Sequence, residues 1–177
     1  MYPFIRMAKE IWKYRNAPAL GLHDVHVSRH TCWPWDIDLW MELNNGRTLT
    51  LFDLGRVPLG RRAGLIGTLR HRRWGLTVAG SVVRYRRRIR PFETIEMRSR
   101  MLGWDRRFLY IEQTMWKRGG ECANQLVLRA AVTGPGGIVP PRDVLEAMGH
   151  DITPPDLPDW VSTWITAEDA RPWPPER

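Results

Sequence analysis

The chain has 177 residues, a formal net charge of +8, 43% hydrophobic residues and 26% charged ones. This describes one globular domain with a core of its own and excludes a disordered chain. No apolar run approaches the roughly 20 residues of a membrane-spanning helix, and Arg6, Lys9, Glu10, Lys13 and Arg15 interrupt any secretory signal core. The two cysteines, Cys32 and Cys122, lie far apart in apolar surroundings, so the expectation is buried, reduced thiols in a cytoplasmic protein.

Residues 1–21 come first. Ile5, Ala8, Ile11 and Trp12 fall at helical spacing, which predicts a short amphipathic helix packed on the domain, with contact to a membrane surface as the alternative. Residues 23–33 read as a strand with Val25 and Val27 on one face and His26 and Ser28 on the other, ended by Pro34. Asn44-Asn45-Gly46 caps a helix start, and Leu49, Phe52 and Val57 continue at helical spacing. Gly55 and Pro58 predict a kink, or a stop and restart, near residue 57.

Four strands follow, over 74–88, 94–104, 108–117 and 121–132, separated by turn signals at Arg90-Pro91, Trp104-Asp105 and Gly119-Gly120. Links this short make the strands antiparallel. A long, mostly apolar helix needs an apolar surface to cover it, and a curved sheet face is the one large enough. The predicted fold is therefore α+β, an antiparallel sheet wrapped around a long central helix within residues 22–133. Beyond it, 134–137 reads as a plain turn, Pro140-Pro141 opens a short helix through Met148, and 151–177 is a surface extension rich in Pro, Trp and acid.

Charge is unevenly placed. Residues 54–107 hold 15 Lys and Arg against three acids, whereas 143–177 hold eight acids against two arginines. A basic middle attracts polyanions and gives the acidic extension a face to fold onto, although a solvated surface accounts for it as well. Nucleic acid is not an expected partner, because only Tyr85 is interleaved with the arginine run.

Common catalytic motifs are absent: there is no G-x-x-x-x-G-K, C-x-x-C, H-E-x-x-H or G-x-S-x-G. The five histidines lack ligand spacing and read as ordinary surface or strand residues, so no metal is expected. The informative stretch runs from Trp35 to Asn45, where Asp36, Asp38 and Glu42 sit among bulky apolar groups just before a helix N-terminus. Free amides and the positive end of the helix dipole favour negative charge there. Asp36 or Asp38 could equally cap loop backbone.

Asp36-x-Asp38 followed by Asn44-Asn45-Gly46-Arg47 resembles the D-x-D-x-x-G-H-x-N-N signature of hotdog-fold acyl thioesterases, the 4-hydroxybenzoyl-CoA thioesterase-like superfamily. Val83-Arg84-Tyr85-Arg86-Arg87, Gly103-Trp104-Asp105 and Glu112-Gln113 are similar to a thioesterase-like branch of it, so the resemblance covers about residues 22–133. It implies hydrolysis of an acyl-CoA or acyl-carrier-protein thioester, with coenzyme A as part of the substrate and no cofactor, by a homodimer or higher homo-oligomer. It implies Asp38 as nucleophile or base, and the helix start at Asn44, Asn45 and Gly46 as the place where amides polarise the carbonyl. Met41-Glu42 stands where the signature has Gly-His, which leaves a non-catalytic thioester-binding protein as the alternative.

Three further expectations concern individual side chains. Trp35, Leu39 and Trp40 should wall Asp38 from water. Asp36, Glu42 and Asp53 are auxiliary candidates, Asp53 also being able to pair with Arg56 three residues on. Strand alternation would send Arg84, Arg86 and Arg88 to one face, as a dock for coenzyme A phosphates or as a solvated face.

Overall fold

Strand propensity and short turns produce one sheet. In the computed structural model, which describes residues 2–175, the strands are β1 (His26–Thr31), β2 (Gly75–Tyr85), β3 (Thr94–Trp104), β4 (Leu109–Lys117), β5 (Cys122–Gly134) and β6 (Gly137–Val139). They are ordered β1-β3-β4-β5-β2, with β6 added to β5, and every pairing is antiparallel. The 134–137 turn joins β5 to β6, with Gly134 opposite Gly137.

The helix α2 (Asn45–Arg62) is 18 residues long and lies against β1, β3 and β4. Leu51, Phe52 and Leu54 are fully buried with Ile95, Met97, Met115 and Leu126 of the sheet. Gly55 sets how close helix and sheet come: a Cβ there would meet Ser99 Oγ at 2.6 Å and Met97 Sδ at 2.7 Å. The stop and restart expected near residue 57 do not occur there. Pro58 is buried inside a helix that continues to Arg62, so the packing of its face outweighs the ~3 kcal/mol that an interior proline costs. The stop comes at Gly64, with φ 84°, and a second helix, α3 (Leu65–Arg72), restarts there.

Two corrections concern the chain's ends. The N-terminal helix α1 (Phe4–Lys13) packs on the domain through the buried Met7 and Glu10 and the half-buried Ile11, the one residue of the expected stripe that does so, while Ile5, Ala8 and Trp12 face outward. Arg6 and Tyr14 fix this rotation, Arg6 by bonding Asp36 and the Thr31 carbonyl and Tyr14 by bonding the Val27 carbonyl. After the expected short helix α4 (Pro141–Met148), the extension forms a further helix, α5 (Asp159–Ala170). Val161, Trp164 and Ile165 of α5 pack on Phe108, Tyr110, Val127 and Ala131. The extension thus does lie on the 54–107 segment, through Ala79, Val82 and Leu102 of the same cluster, but by apolar contact, supplemented by an ion pair of Glu168 at 3.1 Å with Arg129, which is outside that segment.

Candidate functional site

The segment before α2 is built around Asp36, which is fully buried. Its Oδ1 accepts from Arg47 Nη2 at 2.6 Å and Nε at 3.1 Å, and its Oδ2 accepts from Arg6 Nη1 at 2.7 Å and the Trp33 amide at 3.1 Å. Two guanidiniums and an amide compensate the desolvation of one carboxylate. Asp36 therefore ties α1, the loop and the first turn of α2 together, and has no face for a substrate.

Asp38 opens a narrow turn. Its amide donates to the Glu42 carbonyl at 2.9 Å, the Met41 amide returns to the Asp38 carbonyl at 3.1 Å, and Ile37 bridges Leu43. Its Oδ1 accepts from the Trp40 amide at 2.9 Å, the Asx-turn geometry that a short carboxylate makes two residues ahead. Trp35, Leu39 and Trp40 point into solvent, so the expected apolar walls are not there. The half-buried Asp38 stays in contact with water. Glu42 meets Arg88 at 3.0 Å.

Asn44 caps α2, its Oδ1 accepting from the amides of Gly46 at 2.9 Å and Arg47 at 3.1 Å. The Gly46 amide, expected to polarise a carbonyl, is thus already engaged by Asn44. The cap does not take the Asn45 amide, and Asn45 lines a cleft of about 230 Å³ with Glu42, Tyr85, Asn124, Arg86, Arg87 and Arg88. This changes the arginine set. β2 ends at Tyr85 rather than at residue 88, and the amides of Arg86 and Arg87 both turn to the Ala123 carbonyl. Strand alternation therefore stops applying: Arg87 joins Arg86 and Arg88 at the cleft, while Arg84 stays on the strand opposite Gln125 and outside it.

Asp53 occupies a separate polar string along α2. It pairs with Arg56, which donates from Nη1 to Gln113 Oε1 at 2.9 Å, and Gln113 in turn donates to the Phe52 carbonyl and Ser99 Oγ at 2.8 Å each. Tyr2 closes over it; burial and then the Asp53 carboxylate push its hydroxyl up to about 12. Glu112-Gln113 stood out in the sequence only by resemblance, and nothing local pairs Gln113 or Tyr2 with α2, because the α2 residues they meet lie about 50 to 60 positions away.

The inward face of β1 is polar, which the sequence reading of the histidines missed. His26, Ser28 and His30 are buried, whereas Val25 and Val27 are exposed. His30 Nε2 lies 2.8 Å from Ser28 Oγ, and Arg62 donates to His26 Nδ1 at 3.0 Å. Burial, then the charge of Arg62, lowers His26 to about 4; burial, then Arg6, lowers His30 to about 3. Among the described residues no group of three or more His, Cys, Asp or Glu could hold a metal ion.

Residues 32–165 match the model of the Thioesterase-like superfamily. The chain is 30% identical to Protein THEM6 of Xenopus laevis over 170 residues, spanning 94% of this chain and 80% of that protein. Among solved structures, the probable thioesterase YbaW from Escherichia coli aligns with a TM-score of 0.64 at 13% identity, over 70% of this chain and 98% of its own. The hypothetical protein SAV2348 from Staphylococcus aureus, solved in complex with CoA, aligns at 0.58 and 12% identity, over 84% of this chain and 85% of its own. Likeness at these identities is likeness of fold: a curled antiparallel sheet carrying helices.

Proposed function

Because this chain belongs to the thioesterase-like superfamily, we propose that it hydrolyses acyl thioesters whose thiol carrier bears phosphates, with coenzyme A as the carrier. The observation that carries this reading is the shared cleft, in which the first turn of α2 faces Arg86, Arg87 and Arg88. Guanidiniums recognise phosphate oxygens with paired donors, and a helix N-terminus adds favourable potential for the same charge. The CoA complex of the similarly folded Staphylococcus aureus protein agrees with a ligand of this class.

Asp38 is the carboxylate proposed for the chemistry, since the Asp38–Glu42 backbone bond sets it one rung from a residue that lines the cleft. It takes a proton from water, the water oxygen bonds to the carbonyl carbon, and the carbon–sulfur bond breaks to release a thiolate that is then protonated. The Asn45 amide is the donor proposed for the carbonyl oxygen. A thiolate is a modest base, so this scheme has little need of a general acid. That suits a chain in which Glu42, already neutralised by Arg88, stands where the family signature has histidine.

We also propose a homodimer through the β2 edge. This strand is 11 residues long, and Leu76, Val78 and Tyr85 are exposed along it. An open, partly apolar edge of that length is an association site unless a partner covers it.

The test compares thiol release from an acyl-CoA and from the matching acyl-pantetheine, which lacks the nucleotide phosphates. Arg86→Ala with Arg88→Ala should raise KM for the acyl-CoA about tenfold while leaving kcat and the pantetheine substrate unchanged. An unchanged KM would place the phosphates elsewhere. Thermal protection by acyl-CoA without turnover would make this a binding protein, the reading that Glu42 in the histidine position favours.

A further inference from the structure

The corner formed by α1 and the segment after β1 carries apolar surface that the fold leaves unused. On α1, Phe4 is 71% exposed and Ile5 88%. Beside it, Trp35 is 67% and Phe92 65% exposed. Arg6 of α1 and the Trp33 amide donate to the same Asp36 Oδ2, which ties α1 to the Trp33 loop. Trp33 stacks on Trp35 with ring centroids 5.4 Å apart and meets Phe92 edge-on at 6.2 Å. Phe92 keeps this place with a φ of 65°, left-handed backbone that bulky side chains rarely adopt. Apolar patches rimmed by polar groups mark interaction sites.

The charge around the corner selects the occupant. Lys9 and Lys13 are exposed on α1, and Arg90 is exposed two residues before Phe92. Most of the nearby acids are engaged: Asp36 is buried between two arginines, Glu10 is buried beneath α1, and Glu93 pairs with Lys117, which leaves the half-buried Asp38, bonded to the Trp40 amide, against three cations. A second copy of the chain meeting this face in a symmetric dimer would set these cations against their own counterparts. A surface that is anionic and apolar just beneath suits both features, because aromatic rings settle at headgroup level and lysine and arginine are drawn to acidic lipids. We propose that this corner docks the protein on an anionic lipid bilayer, lying on it through α1 and the Trp33–Trp35–Phe92 cluster. Among the described residues no helix is long and apolar enough to cross a membrane.

The experiment is co-sedimentation of the full chain with vesicles of phosphatidylcholine alone and of phosphatidylcholine mixed with phosphatidylserine. The wild type should sediment with the mixed vesicles and stay in solution with the neutral ones. Trp35→Ala with Phe92→Ala should lower the partition coefficient about tenfold, since the free energy of partition follows the apolar area buried. Lys9→Glu with Lys13→Glu should lower it comparably. Trp173→Ala, at a still more exposed tryptophan in the C-terminal segment, should leave it unchanged, and melting curves should show all variants folded. A wild type that ignores both vesicles overturns the proposal, as does a Trp35→Ala/Phe92→Ala variant that sediments like the wild type. Self-association that this double variant abolishes, without vesicle binding, would assign the face to a second copy instead.

Discussion

The Glu42 carboxylate and the Arg88 guanidinium meet at 3.0 Å in the lining of the cleft beside the start of α2. Arg88 is 65% exposed, so the pair adds under about 1 kcal/mol to stability. Its consequence is for ligands, because an anion that needs Arg88 must displace Glu42. Glu42→Gln should leave the melting temperature within error and lower KM for acyl-CoA about threefold to tenfold. Steady-state kinetics beside a thermal melt checks both, and a raised KM would mean that Glu42 itself contributes to binding.

Asp36 differs from Asp38 in kind although the two are neighbours in one motif. Asp36→Asn keeps the shape and removes the charge that compensates Arg6 and Arg47. Breaking a buried pair in this way costs about 3–5 kcal/mol. Urea denaturation should show a loss of that order, with α1 loosened as well, since Arg6 holds it. A loss below about 1 kcal/mol would show that water already reaches the carboxylate.

Two glycines of α2 should respond in opposite directions to the same substitution. At Gly60 an added Cβ meets nothing closer than Ile66 at 3.4 Å, so Gly60→Ala should gain the ~0.5–1 kcal/mol by which alanine is favoured in a helix. At Gly55 the same methyl collides with Ser99 and Met97, and overpacking of about 1–3 kcal/mol outweighs that gain. Chemical denaturation of the two variants gives the signs directly.

Acid should unfold this protein through β1. His26 and His30 are held at about 4 and about 3 in the fold, against an ordinary value of 6.5. Between those limits the unfolded chain binds more protons, so stability is full above about pH 6.5 and is lost as pH falls toward 4 and then 3. Glu10, raised by its burial, acts in the opposite direction, since its protonated form suits the fold, but it is one group against two. The urea midpoint should fall between neutral pH and about pH 5, and His30→Gln should flatten that fall. A midpoint unchanged over this range would contradict the burial of both rings.

The order of strand, helix and four strands was legible because it rests on local signals. Residues 94–104 and 141–148 emerge with the bounds expected, and Asn44 caps α2 as its residue type predicts. What escaped depended on partners far along the chain. Asp36 looked like a candidate for chemistry because Arg6, 30 residues away, is invisible to a motif. The alternation in β1 was visible, but nothing local says that His26 and Ser28 point inward while Val25 and Val27 do not. The apolar spacing of α1 marks only Ile11 correctly as a packing residue, because Arg6 and Tyr14, bonded to partners beyond the helix, turn Ile5, Ala8 and Trp12 outward. The helix at 159–170 is a different case: Val161, Trp164 and Ile165 stand at helical spacing, and the prolines around them masked a signal that was present.

The most direct test of the proposed activity is free-thiol release from short, long and aromatic acyl-CoAs by the wild type, Asp38→Asn and Asp53→Asn. Turnover by the wild type should fall at least about a hundredfold in Asp38→Asn and persist in Asp53→Asn wherever that variant stays folded. The reverse pattern would move the carboxylate to the middle of α2. A wild type that releases no thiol from any of these substrates would contradict the hydrolase reading itself.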